Sequence, residues 1–180
     1  MESVKKYLNK ATNTKQIEQI LKRPVKMLSY KDLQNKNSIF DCFNKYGEFI
    51  LHLPSSEIFG HWICCFIRPD GDIEVFNSYG GIDSDIDLDS MKKYYESICL
   101  ELYPHLTELL LHSGRKIHYN DKQLQSWGTA TCGRWCAYRL KHKDVPIDTF
   151  SKSFIKVAKD CNIKPDELLL LALNEHGLLF

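Results

Sequence analysis

The dipeptide Asp70-Gly71 stands between two β-rich runs, His61 to Ile67 and Ile73-Glu74-Val75-Phe76-Asn77. Asp-Gly flanked by apolar, β-branched and aromatic residues is the strongest short-range signal for an antiparallel hairpin. A hairpin cannot bury its own face, so the rest of the chain must cover it. A third run, Phe49-Ile50-Leu51-His52-Leu53, reads as a further strand. Lys116 to Tyr119 could add one more short strand. Around these strands the pattern is helical. Ser3 to Asn9 and Thr14 to Lys22 read as two short helices, the second with Thr12, Asn13 and Thr14 as candidate caps and an end ahead of Pro24. Ser90 to Tyr103 and Leu106 to His112 follow, the first stopping before Pro104 and the second near Gly114. Cys132, Cys136 and Leu140 form the buried stripe of a helix, and Phe150 to Ala158 and Pro165 to Asn174 suggest two more. The expected class is α+β: a small central mixed or antiparallel sheet flanked by helices, in a single domain spanning 1–180.

Composition agrees with that size. The 180 residues are 43% hydrophobic and 26% charged, which excludes a disordered, collagenous or coiled-coil chain. The longest apolar run, Leu168 to Leu173, is too short for a membrane span. The N-terminus is too polar for a secretory signal, so a cytosol-like compartment and no membrane partner are expected. With 24 basic and 23 acidic residues the formal net charge is +1, and no global field points to nucleic acid. The seven cysteines are an odd number, and Cys64 and Cys65 are adjacent. That is a poor disulfide framework, and it fits buried thiols with one kept for chemistry. The alternating Asp83, Asp85, Asp87 and Asp89 suggest a calcium loop, but Leu88 and Tyr94 stand where its glycine and bidentate glutamate belong. A solvated acidic loop that caps the next helix is the better reading. There is no C-x-x-C pair beside Cys132-x3-Cys136, His112 and His118, so neither metal nor cofactor is expected. Arg134, Arg139, Lys141 and Lys143 spread around helical faces and read as solvated surface.

The segment from Leu124 to Cys136 carries the chemistry. A glycine-containing loop runs into a helix that begins near Cys132, where the positive helix end and unpaired N–H groups stabilise a thiolate. Cys136, one turn inside, should be core. A nucleophilic thiol needs a base, and the base an orienting partner. His61 begins one strand of the hairpin, and Asn77 ends the other. Counting outward from an Arg68/Ile73 pair puts the partner of His61 near residue 80, at the same end of the sheet as Asn77. Ordinary roles remain open: a buried cysteine, a strand-end histidine, a turn asparagine. Trp127 and Trp135 read as packing residues.

Gly60-His61-Trp62, Phe76-Asn77-Ser78-Tyr79-Gly80, Gln125 and Thr131-Cys132-Gly133, in that order, resemble the adenovirus maturation protease and SUMO-specific protease families. The seven-residue step from Gln125 to Cys132 is closer to the adenoviral spacing. The resemblance covers about residues 48 to 143. It implies a papain-like cysteine protease fold, with Cys132 as nucleophile, His61 as general base and acid, and Asn77 orienting the imidazole. It also implies that Gln125 and the Cys132 backbone N–H form the oxyanion hole, with Gln123 as the other candidate glutamine. Trp62 would narrow the cleft so that only glycine fits before the scissile bond. Asn77 departs from the acid usual in these families. The expected activity is a cysteine endopeptidase cleaving viral capsid or core precursors after glycine during virion maturation. Such an enzyme would be a monomer located in the host cytoplasm or the virion. Whether a peptide or DNA activates it stays open. The alternatives are a deubiquitinase or isopeptidase acting on ubiquitin or a ubiquitin-like modifier, a catalytically silent binding module and, more distantly, an acetyltransferase.

Overall fold

A computed structural model describes residues 2–81, 86–98 and 102–179. Its centre is a five-stranded mixed sheet in the order β1-β2-β3-β4-β5: β1 Met27–Ser29, β2 Glu48–Pro54, β3 Gly60–Ile67, β4 Ile73–Phe76 and β5 Ile117–Tyr119. β2, β3 and β4 are antiparallel, while β1 and β5 run parallel to their neighbours at the two edges. The hairpin closes as Asp70-Gly71 predicts, with the Arg68 N–H donating to the Asp72 carbonyl at 2.8 Å and Gly71 at φ +83°. Its register is one residue tighter than counting suggests: Ile67, not Arg68, lies opposite Ile73. Pairing stops at Cys64 and Phe76, so the first residues of β3 extend beyond β4 and meet the loop that follows it.

Among the described residues seven helices surround the sheet: α1 Glu2–Lys5, α2 Thr14–Leu21, α3 Ile86–Ser97, α4 His105–Leu111, α5 Cys132–Lys141, α6 Ile147–Asp160 and α7 Pro165–Glu175. Two 3-10 turns, Tyr30–Asn35 and Ile39–Cys42, link β1 to β2. Of the candidate caps, Asn13 closes a capping box with Gln16 at the start of α2. α1 is shorter than the Ser3 to Asn9 pattern suggests, continuing only as turns. α3 begins earlier than expected, at Ile86, so that Asp87 and Asp89 lie within the helix rather than before it. It ends at Ser97 rather than at Pro104. Asp83 and Asp85 lie outside the described residues.

Alternation along the strands divides the core in two. Ile50, Cys64, Phe66 and Phe76 face α2, α5, α6 and α7, with Trp135 at the centre of that layer. Phe49, Leu51, Ile63, Cys65 and Val75 face the 3-10 turns, α3 and α4. Cys64 and Cys65 thus point to opposite sides, as adjacent strand residues must. Each large apolar side chain buried this way contributes about 1.5–3 kcal/mol. The six described cysteines are all free thiols, of which Cys42, Cys64, Cys65 and Cys136 are buried.

Two of the basic residues expected at the surface are not there. Arg139 is fully buried and forms a bidentate pair with the equally buried Glu74 of β4, at 2.7 and 2.9 Å. Its guanidinium also lies against the rings of Phe66 and Phe150. Arg134 is buried as well, donating through Nη1 to the Lys10 and Tyr7 carbonyls at 2.6 and 3.4 Å. Helical spacing alone hides this, because the acceptors come from distant parts of the chain.

Candidate active site

The cleft forms where β3 outruns β4. α5 packs on β3, and the Cys136 thiol donates to the Trp62 carbonyl at 3.3 Å, which fixes the helix against the strand. One turn earlier, Cys132 lines a cavity of about 480 Å³ together with Trp62 and His61. Gly60 is required by the close approach of β2 to β3: a Cβ there would fall 2.2 Å from His52 Nε2 and 2.5 Å from the Leu53 carbonyl oxygen.

His61 and Asn77 meet at 2.8 Å, Nε2 to Oδ1. The Tyr79 backbone N–H donates to the same Oδ1 at 3.0 Å. A backbone N–H can only donate, so this atom is the amide oxygen, and His61 Nε2 must carry the proton. The lone pair is then on Nδ1, the nitrogen suited to take a proton from a thiol. Asn77 is held in turn by Asn120 at the end of β5. Asn120 Oδ1 accepts the Asn77 N–H at 2.9 Å, and its Nδ2 donates to the Asn77 carbonyl at 2.5 Å. Side-chain pairing thus continues the parallel β4–β5 ladder by one residue. Asn120 is one of the site residues that the sequence does not reveal.

Gln125 is buried and lines the cleft. Its Oε1 accepts the Ser78 hydroxyl at 2.7 Å, and its Nε2 donates to the Thr129 carbonyl at 2.8 Å and to the Tyr79 hydroxyl at 3.2 Å. Gln123 does not line this cavity; its amide donates to the Gln125 carbonyl at 2.7 Å. The loop between Gln125 and Cys132 is tied to α7 by Asp166, a second residue not visible beforehand. This buried carboxylate accepts the Ser126 N–H at 2.6 Å, the Thr131 hydroxyl at 2.5 Å and Trp135 Nε1 at 2.8 Å. Trp135 is the packing residue expected. Trp127 is not: it is 69% exposed and stacks on Tyr79 at the rim of the cleft. Trp62 also lines the cleft, its ring 4.6 Å from that of His52. Through Arg134, the segment around Asn9 to Thr12 is pinned to α5 and supplies part of the wall.

The electrostatics differ from the sequence expectation. Burial pushes the Cys132 thiol up, although the N–H groups of Trp62, Gly133 and Cys132 itself and the Arg134 charge pull the other way. Burial also depresses His61, to about 4; the Asn77 bond opposes this and the nearby His52 adds to it. The helix N-terminus acts as foreseen, but desolvation outweighs it. Burial thus disfavours the thiolate–imidazolium form of the pair relative to the neutral form. Among the described residues the cleft lining holds no aspartate, glutamate, lysine or arginine. A second cavity of about 590 Å³, on the far side of His52 between Tyr30 and Tyr95, contains none of the expected site residues. Away from both, Asp70, Asp72 and His118 bring their ligand atoms within 4.8 Å of one another, with His118 Nε2 and Asp72 Oδ2 hydrogen-bonded at 2.8 Å.

No protein-family model matches the chain. It is 34% identical over 173 residues to "Uncharacterized protein V9" of Sputnik virophage, a match covering 95% of this chain and 98% of the relative. The chain belongs to this virophage protein family. The family is therefore viral in context. Among the described residues of this virophage-family protein, no helix is long and apolar enough to cross a membrane.

Proposed function

We propose that this chain is a cysteine endopeptidase of the adenovirus maturation protease type, with a papain-like site on the α+β fold. The observation that carries the reading is the His61–Asn77 hydrogen bond at the mouth of a cleft that also holds Cys132 at the start of α5. The imidazole is oriented through Nε2 and keeps a basic Nδ1, while the thiol sits at the unpaired N–H groups of a helix N-terminus.

In the proposed reaction, His61 Nδ1 takes the thiol proton as Cys132 Sγ bonds to the scissile carbonyl carbon. The oxyanion is stabilised by the Cys132 N–H and by the Gln125 Nε2–H that the Tyr79 hydroxyl holds in place and shares with it. His61 returns the proton to the leaving nitrogen as the C–N bond breaks, leaving a thioester. Water, deprotonated by His61, then releases the acid and the thiol. Trp62 lines the cleft with Cys132, and in the protease families this chain resembles the matching tryptophan narrows the cleft so that glycine precedes the scissile bond. The uncharged lining favours a neutral peptide segment there. The viral family suits capsid or core precursors as substrates. Incubation with a library of peptides carrying glycine at varied positions tests this, with products mapped by mass spectrometry. Cleavage after glycine, lost in Cys132→Ala, is expected; no cleavage by the folded protein, or cleavage that survives Cys132→Ala, overturns the reading.

A further inference from the structure

Tyr79 touches His61, Asn77 and Gln125 together. Its ring lies on the His61 imidazole at 4.6 Å with an interplanar angle of 29°. The opposite face is covered by the Trp127 indole at 4.4 Å and 14°. Its backbone N–H helps hold Asn77 Oδ1, and its hydroxyl oxygen accepts from Gln125 Nε2. Gly80 locks the turn that carries it: φ is +74°, and a Cβ would fall 2.4 Å from the Lys122 carbonyl carbon. The side chain is therefore a fixed slab between base and rim, with its polar end on the amide expected at the oxyanion.

We infer that Tyr79 is a positioning residue, setting the plane of the His61 ring through its own ring and the aim of the Gln125 amide through its hydroxyl. This rests on the peptidase reading above. The two functions separate chemically. Tyr79→Phe keeps the slab and removes the hydroxyl, whereas Tyr79→Leu removes both. Small misplacements of oriented groups lower turnover without changing substrate affinity.

The test uses the full chain, a fluorogenic peptide amide ending in Gly-Gly, and NMR titration of the His61 ring nitrogens. Tyr79→Leu should uncover one face of the imidazole, moving its titration upward from about 4 toward the ordinary 6.5. Its kcat should fall by about tenfold or more while KM changes by less than about threefold. Tyr79→Phe should leave the titration in place and lower kcat by roughly threefold to tenfold. A purely structural role would not separate titration from turnover in this way. If wild-type protein turns the peptide over in a His61-dependent manner yet both variants keep its kcat and titration, the inference fails and the peptidase reading stands. If wild-type protein shows no His61-dependent turnover, the reading itself fails, and the inference with it. Should Tyr79→Leu not fold, an unchanged kcat in Tyr79→Phe overturns the role of the hydroxyl in aiming Gln125.

Discussion

Replacing His61 by alanine should lower turnover of a glycine-containing peptide by about 10³-fold, within the usual range for a general base, and leave the fold intact. His61 stands at the end of β3, beyond its last pair with β4 and in the wall of the cleft, so its loss enlarges the cleft. The same site fixes the pH dependence. Burial holds His61 near 4, so above that pH the ring is neutral and can accept the Cys132 proton. Below it the ring is protonated and cannot. Turnover should therefore rise as pH increases through about 4 and stay level across neutral pH, because the Cys132 thiol is pushed above its ordinary range. A pH profile of kcat/KM for wild type and His61→Ala measures both effects. An acid limb that persists unchanged in His61→Ala would assign it to another group.

Glu74→Ala should be among the most damaging single substitutions for stability, at about 3–5 kcal/mol, or roughly a 10 °C fall in melting temperature. The carboxylate is fully buried and takes the Arg139 fork at 2.7 and 2.9 Å, with Arg68 Nη1 at 3.1 Å. Removing it leaves the Arg139 guanidinium inside the protein with, among the described residues, the His142 and Val145 carbonyls as its remaining acceptors. The cost comes from the stranded charge and not from the pair as such. Replacing both partners by apolar residues, Glu74→Leu with Arg139→Met, should therefore recover most of the loss. Urea unfolding of the two single variants and the double variant measures it; a Glu74→Ala cost below about 1 kcal/mol would contradict the assignment.

Much of the frame was legible from local pattern. Asp70-Gly71 located the hairpin, and the Cys132, Cys136, Leu140 stripe located α5, because each signal is complete within a few residues. The approach of His61 to Asn77 followed from the hairpin, and a one-residue difference in register did not matter because Asn77 lies past the last β3–β4 pair. What escaped depends on partners remote in sequence. Met27 to Ser29 is too short to show a period, and it becomes a strand only beside β2. Arg139 looks solvent-facing until Glu74, 65 residues away, is known to lie beneath it. Asn120 and Asp166 are unremarkable polar residues until the backbone groups they satisfy are brought to them. Trp127 reads as core by its type but closes the Tyr79 stack at the surface. The helix-end effect on Cys132 was visible, whereas the burial that outweighs it depends on how tightly α5 meets β3.

The central claim is that Cys132 is a nucleophile served by His61. The most direct measurement is covalent capture of the intact protein by a peptide ending in a glycine vinyl methyl ester, read by intact mass and peptide mapping. The predicted result is a single adduct on Cys132, absent in Cys132→Ala and formed about 100-fold more slowly in His61→Ala. An adduct whose rate is indifferent to His61, labelling spread over the exposed Cys161, or no adduct on the folded chain would contradict it.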